Sequence, residues 1–111
     1  MNEGNFNEAH EILCNCLRIK QMFGDLAGEA AIWHQLASIV CYAGRIAQAR
    51  DGFRQALVIG QEIGNIIWLA KIWHQLAAID MDEGRFVDAR SGYGKVFDVR
   101  LEMSDYTVDF Y

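Results

Sequence analysis

Among the residues of this chain whose types could do chemistry are two of its three histidines, His34 and His74, and its three cysteines, Cys14, Cys16 and Cys41. Imidazole and thiolate are the usual zinc ligands, and a zinc site needs three or four of them converging within about 2.3 Å of one point. Two histidines forty residues apart supply at most two ligands. Cys14 and Cys16 project about 200° apart on one helix, so they cannot chelate together. Cys41 follows His34 by seven residues and could be read as a nucleophile beside a base. Such a site also requires a group that orients the imidazole and an oxyanion hole, and the sequence offers neither. The expectation is no metal, no cofactor and no enzymatic activity, with the histidines retained as polar surface residues by duplication.

That duplication identifies the elements that carry them. Ile32-Trp33-His34-Gln35-Leu36-Ala37 is repeated without change as Ile72-Trp73-His74-Gln75-Leu76-Ala77, an offset of forty. The register continues without a gap through Gly44-Arg45 and Gly84-Arg85, Ala49-Arg50 and Ala89-Arg90, Gly52 and Gly92, and Phe53 and Tyr93. Forty residues earlier, Gly4, Phe6, Ala9, Leu13 and Leu17 fall under Gly44, Ile46, Ala49, Phe53 and Leu57. Self-similarity at such a period marks a solenoid or array. Within one period Trp33, Leu36, Ala37 and Val40 form one helical stripe, and Ala49, Phe53, Ala56 and Leu57 form a second. Gly44 makes the turn between them. Gly24-Asp25, Gly64-Asn65 and Ser104-Asp105 pair a helix-ending residue with an N-cap for the next helix. The spacing predicts five helices near 5–23, 27–43, 46–63, 67–83 and 86–103, with a sixth begun at 105–111. Gly52, Gly92 and Gly94 fall inside these helices, at about 1 kcal/mol each relative to alanine. The recurrence of Gly52 at Gly92 points to close helix–helix approach.

The stripe residues resemble the tetratricopeptide repeat, whose pattern is W-x2-L-G-x2-Y, a glycine turn, then A-x3-F-x2-A. One copy reads Trp33, Leu36, Ala37, Val40, Gly44, Ala49, Phe53, Ala56, and the next Trp73, Leu76, Ala77, Asp80, Gly84, Ala89, Tyr93, Val96. The N-terminal segment supplies only the later half, Gly4, Ala9, Leu13 and Cys16. The usual period of that family is 34, so forty is similar to the longer-helix repeats of kinesin light chains and bacterial multidomain signalling proteins. Asp80 departs most, because the pattern wants a large apolar residue there. The resemblance implies an all-α, right-handed solenoid of antiparallel helix pairs, about two and a half repeats in one domain. These are a half repeat at 1–24, repeats at 25–64 and 65–104, and the start of a further helix at 105–111. It also implies a protein-interaction scaffold whose first helices line a concave groove that holds a peptide or helix of a partner.

On a helical wheel the Trp33 stripe faces the second helix, and the opposite side becomes the groove face. The candidate partner-binding residues are His34, Gln35, Ser38 and Tyr42 in one copy, and Lys71, His74, Gln75 and Asp82 in the next. Trp33, Trp73, Phe53 and Tyr93 are expected in the core. Trp68 replaces Gly28 of the preceding copy and reads as an exposed anchor or a cover for a helix end. A second reading rests on the chain ends. The first helix offers Phe6, Leu13 and Leu17, and the tail offers Tyr106 and Phe110, two half repeats that would complete each other between copies. That predicts a self-assembling homo-oligomer, or alternatively a piece of a longer repeat protein.

Composition sets the partner class. Apolar residues at 52% and charged residues at 23% indicate a folded chain. A net charge of −5 argues against nucleic acid or an anionic membrane as partner, since both demand a basic surface. Residues 80–111 hold eight acids and four bases, a net of −4, so a basic partner would be drawn there. An odd number of cysteines without framework spacing, and no apolar run long enough to span a bilayer, predict a soluble cytoplasmic protein.

Overall fold

The computed structural model describes residues 3–108, with side chains over 4–101. Five α-helices occur among the described residues and no strand: α1 Glu3–Met22, α2 Leu26–Tyr42, α3 Ile46–Ile63, α4 Ile66–Asp82 and α5 Phe86–Val108. They form two compact units, one of α1, α2 and α3 up to Gly64, the other of α4 and α5 from Asn65. In the first unit α2 packs on both α1 and α3, and in the second α4 packs on α5.

Helix breaks come from glycine. Gly24, Gly44, Gly64 and Gly84 all have positive φ, between 66° and 80°. This left-handed conformation ends a helix without a Cβ clash. The next helix is then capped by a short polar side chain where one is present. Asp25 Oδ1 accepts from the Gly28 amide at 2.9 Å, and Asn65 Oδ1 accepts from the Trp68 amide at 3.1 Å. The third expected break, at Ser104-Asp105, is absent: α5 runs through it to Val108. Ser104 stands where Gly24 and Gly64 stand in the earlier copies, and without a glycine the left-handed turn is penalised and the helix continues. Residues 109–111 of the expected sixth helix lie outside the described residues.

The two helix pairs share one contact. A Cβ placed on Gly52 would lie 2.9 Å from Ala37 Cβ, and one on Gly92 would lie 2.9 Å from Ala77 Cβ. The helix axes therefore pass closer than any side-chain-bearing pair allows. Flanking this point, Ala49, Phe53 and Ala56 are buried on α3, and Ala89 and Val96 on α5. Gly94 belongs to no such contact; the space around its Cβ position is open. Trp33, Trp73 and Tyr93, expected in the core, are only half-buried, whereas Phe53 is fully buried.

These local geometries predict three outcomes. Gly52→Ala and Gly92→Ala should each destabilise the protein by about 1–2 kcal/mol in urea melts, because overpacking at 2.9 Å outweighs the gain of about 1 kcal/mol in helix propensity. Gly94→Ala, in open space, should stabilise by up to about 1 kcal/mol. For Asp25, the bond from the Gly28 amide and then the Lys20 ammonium, 3.3 Å away, hold its carboxyl below the ordinary 3.8. A depressed folded-state value means that its contribution is complete above the unfolded value and disappears as pH falls through the folded one. Melts of Asp25→Asn, which keeps a capping acceptor, should show less loss below about pH 4 than the parent.

Candidate functional site

The expected groove face divides between the two units, and each half is built on the first helix of a pair. On α2, Gln35 is exposed and Tyr42 is 88% exposed. Ser38 Oγ donates to the His34 carbonyl at 2.9 Å, a bond within the helix that leaves it little to offer a ligand. His34 is half-buried, its ring edge-on to Phe53 with centroids 5.7 Å apart. On α4, Lys71, His74 and Asp82 are exposed. The His74 ring meets Tyr93 edge-on at 5.6 Å. The repeated histidine thus packs each first helix onto the aromatic of its second helix, a role that helical periodicity alone did not disclose. Gln75 is half-buried, and its Oε1 is a buried acceptor without a hydrogen-bond partner among the described residues. Leaving such an atom unsatisfied costs about 1–3 kcal/mol.

The residues expected to self-associate are placed differently. Phe6 and Leu17 are buried, 6% and 9% exposed, and Leu13 is half-buried. Arg45, at the turn between α2 and α3, lays its guanidinium over the Phe6 ring at 4.9 Å, and His10 packs beside that ring. Phe6 and Leu17 are thus covered within the first unit, Phe6 in part by Arg45. The side chain of Tyr106 and all of Phe110 lie outside the described residues.

The first unit also contains a cleft of about 370 Å³ that the sequence did not reveal. The Trp33 stripe of α2, with Leu36, Ala37 and Val40, makes its apolar lining. From α1 come His10 and Cys14, whose Nδ1 and Sγ are 3.7 Å apart, and from α3 come Gln48, Asp51 and Gln55. The i, i+4 spacing of His10 and Cys14 and the i, i+3, i+7 spacing of Gln48, Asp51 and Gln55 each mark one helix face. Their meeting across α2 is tertiary and left no local signal. Among the described residues no three histidines, cysteines or acids gather as a metal site, and no helix is long and apolar enough to cross a membrane. The three cysteines are free thiols.

Phe6→Ala should destabilise the chain by about 3–5 kcal/mol in chemical denaturation, as a buried aromatic does. Loss of association without loss of stability would instead place Phe6 at an interface between copies.

No protein-family model matches this chain, and no curated protein matches it.

Proposed function

We propose that the chain is a protein-interaction module of the tetratricopeptide type. Its helix pairs would stack as a right-handed solenoid, with α2 and α4 presenting Gln35, Tyr42, Lys71, His74 and Asp82 to a peptide or helix of a partner. The observation that carries this reading is the contrast between faces of the first helices. One side is buried against the second helix by the Gly–Ala contact. The other leaves a mixed polar and aromatic surface in solvent, led by Tyr42 at 88% exposure. Tyrosine in that setting supplies contact area with little loss of side-chain freedom, as binding surfaces commonly use it. The free thiols and the absence of a spanning helix among the described residues fit a reducing, aqueous compartment such as the cytoplasm. Assembly through the chain ends is the weaker alternative, since Phe6 and Leu17 are already covered.

The test is a displayed random-peptide selection against the full chain, followed by titration of the selected peptide with variants. Tyr42→Ala and Lys71→Ala should each weaken binding by about tenfold with unchanged melting, as expected of exposed contact residues. Selected peptides indifferent to all of Gln35, Tyr42, Lys71 and His74 would overturn the groove assignment.

A further inference from the structure

The two helix pairs of this chain carry the same tryptophan, and among the described residues a side-chain cation lies over the ring of the second. In the second unit the Lys95 ammonium lies over the Trp73 ring, 5.6 Å from its centroid. That distance is within the range at which a ring quadrupole attracts a cation. The corresponding residues of the first unit, forty positions earlier, are Trp33 and Gln55. Both line the cleft there, and no lysine or arginine does. A second exchange accompanies the first: Ser91 of the second copy is Asp51 in the first, and Asp51 also lines the cleft. Where the second unit has a lysine and a serine, the first has a glutamine and a carboxylate, both in the lining of the cleft that Trp33 also lines.

We infer that the cleft over Trp33 is a receptor for a lysine side chain of a partner protein, with the ammonium on the indole face and Asp51 as its counter-ion. Lys95 over Trp73 is the internal example of that occupancy. The butyl stem of a lysine would run along Leu36 and Val40, apolar residues that line the cleft and that water solvates poorly. Charge complementarity at the cleft is local: Asp51 is the carboxylate in its lining, with no lysine or arginine there. This cleft is on the Trp33 side of α2, opposite the Gln35 and Tyr42 face on a helical wheel. The inference therefore stands independently of the groove reading.

The experiment follows the Trp33 indole N–H and the Asp51 amide of the full chain by NMR, with n-butylammonium chloride as probe and n-butanol as its neutral counterpart. The Trp33 signal is assigned by its loss in Trp33→Phe. Butylammonium should shift both signals saturably, with a dissociation constant on the order of millimolar. Butanol should bind about tenfold more weakly, lacking both the ring attraction and the ion pair. Asp51→Asn should weaken butylammonium by about threefold. Gln55→Lys should place an internal ammonium over Trp33 as Lys95 does over Trp73, leave the fold intact by circular dichroism, and reduce butylammonium binding at least about tenfold. A capped Gly-Lys-Gly tripeptide should bind at least as tightly as butylammonium, because the occupant is a side chain on a backbone. Equal shifts from butanol and butylammonium, or undiminished binding in folded Gln55→Lys, would overturn the cation site. Binding of the free amine without the tripeptide would overturn its assignment to a protein partner.

Discussion

Everything in each helix pair follows from one short distance, the approach of Gly52 to Ala37 and of Gly92 to Ala77. Removing a single Cβ from the second helix lets its backbone come against the alanine of the first. The larger side chains on either side are then held at fixed reach. Phe53 and Tyr93 meet the repeated histidines at nearly the same centroid distance, 5.7 and 5.6 Å, because the same contact sets the spacing in both units. Trp33 and Trp73, by contrast, are half-buried, so part of each ring keeps an available face.

The available face has been used in two ways. On Trp73 it is covered by Lys95 from the neighbouring helix of the same pair. Trp33 instead lines a cleft whose polar residues are His10, Cys14, Gln48, Asp51 and Gln55. Phe6, the third aromatic of interest, is closed by Arg45. Cation-over-ring contacts at exposed sites are worth only about 0.5–1 kcal/mol, too little to decide the fold. They decide instead which surfaces remain receptive.

Much of this architecture was legible in the residues. The repeat of six identical residues, the glycines at the turns and the alternation of two stripes gave five helices with boundaries near those observed. The recurrence of Gly52 at Gly92 pointed to the close approach that both pairs show. The places where the sequence misled share one physical cause. Wheel positions tell which side of a helix a residue occupies, not which distant side chain reaches across to it. Phe6 looked open because its cover, Arg45, comes from a turn thirty-nine residues away. His34 and His74 looked free because the aromatics they touch lie on the partner helix. The cleft joins α1, α2 and α3 and has no signature within any one of them. Ser104-Asp105 failed as a break because position in a repeat does not substitute for glycine's access to the left-handed region.

The left-handed glycines have a consequence for how such a chain can grow. Gly24-Asp25 and Gly64-Asn65 present the same joint chemistry forty residues apart, a helix-ending glycine followed by a short side chain that caps the next helix. A gene segment copied from one joint to the next carries a complete helix pair with both of its ends already finished. Tandem insertion at either joint would preserve the helix-ending glycine and the capping side chain on both sides. Each inserted pair is then free to diverge at surface positions such as 55 and 95 while its internal contact stays fixed. The chain is in this sense punctuated for recombination, and the difference between its two tryptophan sites is the kind of divergence that punctuation permits.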